Sequence, residues 1–205
     1  MVIIGYSGHA YVVCGILQAA GKHVTHYCDL DEKSYNPFEL VYIGPEDSQA
    51  AINFMKQEGF FIGIGDNVLR KKVYERLADH CIPFNAIHPS AVIDKTVTIG
   101  EKGIMIAAGV CINPLAKINS GSICNTGSVI EHECIVGEFA HIGPGAILCG
   151  NVTIGTGAFV GAGAIIRQNI RIGKNAMIGA GAVVIKDVEE NEIVVGNPSR
   201  KINKN

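Results

Sequence analysis

The chain has 205 residues, 48% of them hydrophobic, and 17 Lys+Arg against 19 Asp+Glu give a formal net charge of −2. This length admits one or two domains, the apolar content excludes wholesale disorder, and the charge balance leaves no footprint for nucleic acid or an anionic membrane. No apolar run approaches the roughly 20 residues of a membrane helix.

Met1–Gly5 runs straight into an apolar strand pattern, so no secretory leader is expected. The seven cysteines (14, 28, 81, 111, 124, 134 and 149) are odd in number and none forms C-x-x-C. A disulfide framework and a structural zinc site are therefore not expected, and a reducing cytoplasmic setting fits best.

Residues 1–85 alternate strand and helix patterns, which predicts a parallel sheet in a Rossmann-like α/β domain. Strands are expected at Val2–Ile4, His23–Cys28, Val41–Ile43 and Phe60–Ile64. Helices are expected at His9–Ala20, Asp47–Glu58 and Asn67–Asp79, with a domain boundary near Pro83–Pro89. The turn Gly5-Tyr6-Ser7-Gly8-His9-Ala10 follows a strand and opens a helix, the setting of an anion site, although it is not G-x-G-x-x-G. Asp29, after the second strand, stands where an acid meets a ribose hydroxyl or a base edge, or is a solvated loop carboxylate. Gly63-Ile64-Gly65-Asp66-Asn67 is a second strand-to-helix turn, either a ligand crevice or tight packing.

From residue 86 the pattern changes, and 17 of the 25 glycines lie beyond it. Stepping by six from Ile87 to Val184, with one extra residue near Gly103, meets 17 positions, of which 16 are Ile, Leu or Val. A small or medium residue follows each four positions on. A six-residue period fits neither a helix nor a meander; it predicts a solenoid of very short strands over residues 86–205, ending in a tail. His132 lies two residues past Ile130, at an outward corner, and Glu133 follows it. A neutral imidazole there suits a general base at pH 7, and a carboxylate on its other nitrogen would fix the tautomer. If three hexads make one 18-residue coil, as in the hexapeptide-repeat family that this pattern resembles, Gly150 stacks beside His132; lacking a side chain, it lets a ligand reach the backbone N–H, a candidate oxyanion donor.

The repeat resembles the hexapeptide-repeat acyltransferases, whose solenoid is a left-handed parallel β-helix. Combined with the G-x-x-G-H-A and Ile-Gly-Asp-Asn turns, it resembles the bacterial nucleotide-sugar N-acetyltransferases of the PglD/NeuD type over essentially the whole chain. The usual G-x-G-G-H turn carries Ser7 here at its third position. The resemblance implies acetyl-CoA-dependent transfer to the 4-amino group of a nucleotide-linked, UDP-type, 4-amino-4,6-dideoxy sugar, in a homotrimer with sites between solenoids and without a metal. It places the catalytic base on His132 and its acidic neighbour on Glu133. The acetyl-CoA contacts fall on His141, Gly150 and Ala162. The nucleotide sugar would meet Ser7, Gly8, His9, Asp29 and Gly65, with Asn125 orienting the sugar. Lys186 or Arg200-Lys201 would meet the CoA phosphates, or serve only as solubilising charge. Alternatives are O-acetylation of a sialic acid or sugar hydroxyl, and a non-catalytic trimer that binds nucleotide sugar. A metal hydratase on the same solenoid would need three histidines, where only His132, His141 and, at the edge, His88 are at hand.

Overall fold

In this computed structural model, residues 1–77, 81 and 83–202 are described. The first part runs β1 (Val2–Ile4), α1 (Gly8–Ala19), β2 (His26–Cys28), β3 (Val41–Tyr42), α2 (Gln49–Glu58), β4 (Phe60–Ile62) and α3 (Asn67–Leu77). Its strands form one parallel sheet in the order β3-β2-β1-β4. The strand order reverses direction between β1 and β4, so a crevice opens there at the carboxyl ends of the strands. The turns Gly5–His9 and Gly63–Asn67 both border it.

Several elements are shorter than the sequence suggests, for local reasons. β2 begins at His26 rather than His23 because its partner β1 begins at Val2, which pairs with His26. β4 ends at Ile62 because β1 ends at Ile4, whose carbonyl accepts from the Gly63 N–H. β3 stops at Tyr42 rather than Ile43. α2 begins at Gln49 because Ser48 caps it, its hydroxyl accepting from the Ala51 N–H. α1 begins one residue earlier than expected and ends at Ala19, with Ala20 as its cap. The end expected for α3 at Asp79 lies outside the described residues.

The second part is a triangular parallel solenoid. Among the described residues it has 17 two-residue strands, from β5 (Ala86–Ile87) to β21 (Val183–Val184), distributed in rotation over three faces. The second residue of each is the aliphatic position of the hexad. From Ile106 to Val184 it is buried, each such side chain contributing about 1.5–3 kcal/mol by leaving water. The residue four on (Ala116, Ala140, Ala146, Ala158) fills the adjoining corner, also fully buried. Successive coils pair at 18 residues except the first, at 19, where the extra residue near Gly103 is absorbed. After Val184 the step falls to 16, so Ile172 meets Val188 and Met177 meets Ile193. The chain closes on β22 (Ile193–Val195) and an antiparallel β23 (Arg200–Ile202).

From Gly103 to Gly181 each corner has one residue at positive φ. Most are glycine or asparagine, as at Gly127 (φ 65°) and Asn151 (φ 56°), but Glu133 (φ 61°) and Phe139 (φ 54°) also adopt it. The two parts share a core: Ala10, Val13 and Leu17 of α1 join the same buried cluster as Ile104 and Ile106.

Candidate functional site

The residues singled out from the sequence fall into three groups. The first is at the corner between the six-stranded and five-stranded faces. There β12 (Val129–Ile130) gives way to His132 and Glu133. The left-handed backbone at Glu133, fixed by its N–H donating to the Pro114 carbonyl, turns the carboxylate back so that Oε2 lies 3.1 Å from His132 Nδ1. A glutamate in this conformation costs about 1–2 kcal/mol, a strain that places the carboxylate on the ring. Both side chains are more than half exposed. Gly150 sits one coil up, and a Cβ there would come within 2.5 Å of His132 Cε1 and Nε2. No described residue engages Nε2 or donates to it, and no hydrogen bond among the described residues uses the Gly150 N–H.

The second group is at the next corner, between the eight- and six-stranded faces. Asn125 and Ala162 belong to it, and His141, the outward residue of β14 (His141–Ile142), adjoins it. The Asn125 side-chain oxygen accepts from the Thr126 N–H at 2.8 Å, so its amide nitrogen must be the atom 3.1 Å from His141 Nε2. Nε2 is then the acceptor, and Nδ1 carries the proton. That Nδ1 is buried and makes no hydrogen bond. Burial pushes His141 down to about 4, helped by the Arg70 cation and by His9, against a smaller opposing pull from the Gly65 carbonyl.

The third group lines the crevice of the α/β sheet. Ser7 caps α1 with its backbone only, leaving the first-turn N–H groups without a side-chain acceptor. His9 is packed against Gly65, where a Cβ would lie 3.5 Å from its Cγ, and its Nε2 is likewise buried without a partner. Burial and Arg70 hold His9 down at about 4. The His9 and His141 rings are 6.0 Å apart, centroid to centroid. Asp29 accepts from the Tyr6 N–H and the Leu30 N–H, both at 2.8 Å, and pairs with Lys33 at 2.9 Å. It therefore ties the first turn to the end of β2. Despite desolvation, those bonds hold its carboxyl below the usual range.

A cavity of about 650 Å³ lies between the Gly65–Val68 turn and the outward residues His141, Phe159, Met177 and Ile193 of the eight-stranded face. That volume is within the range of small-molecule sites. Among the described residues no cluster of His, Cys, Asp and Glu is placed to hold a metal, no helix is long and apolar enough to cross a membrane, and all seven cysteines are free. Lys201 of the tail is engaged by Glu192 at 2.6 Å.

Within one chain, His132 and Gly150 are thus separated from Asn125, His141 and Ala162 by the whole six-stranded face. The outward residues of that face are Val92, Cys111, Val129, Ile147, Ile165 and Val183, an unbroken apolar column. The five-stranded face instead presents Thr98, Lys117, Thr153 and Arg171 among its five. Sequence reasoning placed Asn67 in the crevice turn but missed that it joins the turn to the solenoid, and missed Arg70 altogether; a lone arginine on a helix gives no periodic signal.

Comparison with known proteins agrees with this architecture. The PglD N-terminal domain matches residues 1–77, and bacterial transferase hexapeptide repeats match residues 133–168 and 151–186. The solenoid is therefore the left-handed β-helix of that repeat, and the first part the α/β domain that accompanies it. A variant of perosamine N-acetyltransferase from Caulobacter crescentus, solved in complex with CoA and GDP-perosamine, is 36% identical. That match covers 99% of this chain and 96% of that one, with a TM-score of 0.92. The acetyltransferase domain of PglB from Neisseria gonorrhoeae, in complex with acetyl coenzyme A, is 30% identical over 98% of both chains, TM-score 0.90. UDP-N-acetylbacillosamine N-acetyltransferase of Bacillus subtilis is 33% identical over 108 residues, 51% of this chain, so the match spans about half (50%) of that relative's length.

Proposed function

This chain belongs to the PglD/NeuD-type family of hexapeptide-repeat sugar acyltransferases, and on that footing we propose that it moves an acetyl group from acetyl-CoA to the 4-amino group of a nucleotide-linked 4-amino-4,6-dideoxy sugar. The observation that carries the reading is the His132–Glu133 pair, with Nδ1 held by the carboxylate and the ring edge lying against a residue without a side chain.

In this reading Glu133 fixes the proton on His132 Nδ1 and leaves Nε2 as the acceptor. Nε2 takes the proton as the amine nitrogen bonds to the thioester carbonyl carbon. The C–S bond then breaks, and the proton passes to the departing thiolate. A positioned base is worth about 10²–10⁴-fold. The Gly150 N–H, which has no partner among the described residues, donates to the carbonyl oxygen as it gains charge. The diphosphate lies at the Ser7-Gly8-His9 start of α1, and the nucleoside lies between Asp29 and Gly65. Asn125, His141 and Ala162 complete the acetyl-CoA and sugar contacts from the other corner.

That arrangement requires more than one chain, because the two corners lie at opposite edges of one face. A homotrimer whose apolar six-stranded face meets its neighbours brings His132 of one subunit to Asn125 and His141 of the next. A bacterial surface or protein glycan is the destination that this acceptor class implies, and the chemistry belongs to the cytoplasm, where acetyl-CoA is made.

The test is thiol release from acetyl-CoA with UDP-, GDP- and dTDP-linked 4-amino-4,6-dideoxy sugars, and with free and CMP-linked sialic acid. UDP is the nucleotide named for the Bacillus relative and GDP that of the Caulobacter structure, so both arms are essential. Turnover with an amino sugar, abolished in His132→Ala, is the expected result. Turnover with sialic acid alone would replace N- by O-acetylation. A chain that binds nucleotide sugar but not acetyl-CoA would be a sensor, and full turnover in His132→Ala would remove the base.

A further inference from the structure

Arg70 is 2% exposed, and among the described residues no carboxylate hydrogen-bonds its guanidinium. Nε donates to the Gly121 carbonyl at 2.9 Å. Nη1 donates to the carbonyls of Ile64 at 3.2 Å and Gly65 at 3.0 Å. Nη2 donates to the Asn67 side-chain oxygen and to the Phe139 carbonyl, both at 2.8 Å. All five N–H groups are used, every hydrogen-bond acceptor is neutral, and Asp66 only partly offsets the buried cation. An apolar side chain of the same size would leave the Gly121, Phe139, Ile64 and Gly65 carbonyls without these donors, so the guanidinium acts as the hub that joins the turn to the solenoid.

The acceptors themselves have a pattern. Gly121, Phe139 and Gly157 are the same corner position in three successive coils, 18 residues apart and all at positive φ. Arg70 takes the first two carbonyls, and Asn67 takes the third, its amide donating to Gly157 at 3.0 Å and Ala158 at 3.2 Å. Tyr74, one helical turn past Arg70, continues the row: its ring lies 3.5 Å from where a Cβ on Gly103 would be and packs edge-on to Phe139. α3 therefore lies along one corner of the solenoid. Its side chains at positions 67, 70 and 74 engage stacked coils, a match allowed because a helical turn rises about 5.4 Å and a coil about 4.8 Å. The upper end of this rack is the crevice turn, since the Ile64 and Gly65 carbonyls close on the same guanidinium.

We propose that Asn67 and Arg70 are positioning residues: they hold the Gly63–Asn67 turn at one fixed height on the solenoid and so set where the acceptor sugar is presented. This deepens the acetyltransferase reading and rests on it. Burial is the main cause that depresses His9 and His141, and the same guanidinium adds to it, so both rings meet the crevice uncharged.

The experiment compares Asn67→Ala, Arg70→Lys and Tyr74→Ala with the wild type. It reads KM for the nucleotide sugar, KM for acetyl-CoA, kcat and melting temperature. Hydrogen exchange of residues 63–67 is measured alongside, without any substrate. Misplacement by about 1 Å is worth up to 10²-fold, so Asn67→Ala and Arg70→Lys should raise the acceptor KM roughly tenfold or more. Tyr74→Ala, which removes packing below the turn, should lower the melting temperature while keeping acceptor KM within about twofold. Equal KM effects in all three variants, or none in the first two, would overturn the proposal. Should the wild type turn over no acceptor, the functional reading fails and the exchange data decide. Faster exchange at 63–67 in Arg70→Lys but not in Tyr74→Ala supports the rack, and unchanged exchange rejects it.

Discussion

Gly150 and His132 are in edge contact: a methyl group placed on Gly150 would fall 2.5 Å from both Cε1 and Nε2 of the ring. The clash is with the far end of a half-exposed side chain, so the solenoid can keep its fold by letting the ring swing out. Gly150→Ala should therefore melt within a few degrees of the wild type. It should lose about 10²-fold or more in kcat, because the proposed base is displaced and the N–H beside it screened. Thermal melts together with steady-state turnover test this. A variant with wild-type kcat would show that the contact has no catalytic meaning.

Glu133 separates stability from activity. Its φ of 61° is unfavourable for a side chain bearing Cβ and natural for glycine. Glu133→Gly should raise stability by about 1 kcal/mol while lowering kcat about 10–100-fold, the usual cost of removing a partner that orients a histidine. Glu133→Gln should lie between, since its amide oxygen can still accept from Nδ1. Denaturation midpoints and kcat, measured on the same preparations, must move in opposite directions for Glu133→Gly. If they fall together, the carboxylate is part of the fold's support.

The repeat was readable because a triangular coil has one interior-filling position per six residues, and nothing else can occupy it. The stacking of Gly150 beside His132 followed from the 18-residue register that the family resemblance implies. The same register also separates them from Asn125, Ala162 and His141, which no local pattern reveals until the corners are drawn. The α/β strands were readable as apolar runs; β1 has its expected bounds, but the other three came out too long, because strand ends are set by the neighbour: β2 starts where β1 starts and β4 stops where β1 stops. Docking of the first domain was not readable. It depends on Asn67 and Arg70 meeting carbonyls 51 to 91 residues away in sequence.

His9 and His141 predict an acid limit to stability. Both are held near 4, chiefly by burial and then by the Arg70 cation, with His9 adding to the effect on His141. Asp66 faces Arg70 and only partly offsets its charge. In the unfolded chain each histidine takes its proton near pH 6.5, so the unfolded state binds more protons between about 6.5 and 4. Stability should thus be full above about pH 6.5, fall as the pH drops towards 4, and level off below it. Each histidine contributes on the order of 3 kcal/mol, and the coupled pair less than twice that. Urea midpoints from pH 7.5 to 4 check this, and His141→Gln should flatten the slope. A midpoint independent of pH over this range would mean that the rings are solvated.

The split of the site over two corners predicts complementation. His132→Ala disables one corner, and Asn125→Ala leaves His141 Nε2 without its donor at the other. Each variant alone should be nearly inactive. If every site takes His132 from one subunit and Asn125 from its neighbour, refolding the two together should restore about a quarter of the sites, by random assortment of two subunits per site. Ile165→Asp, a charge on the exposed apolar column, should give a folded monomer by sedimentation and turn over neither alone nor mixed. Recovery must vanish when both substitutions are placed in one chain. No recovery on mixing, with trimers present, would place the whole site within a single subunit.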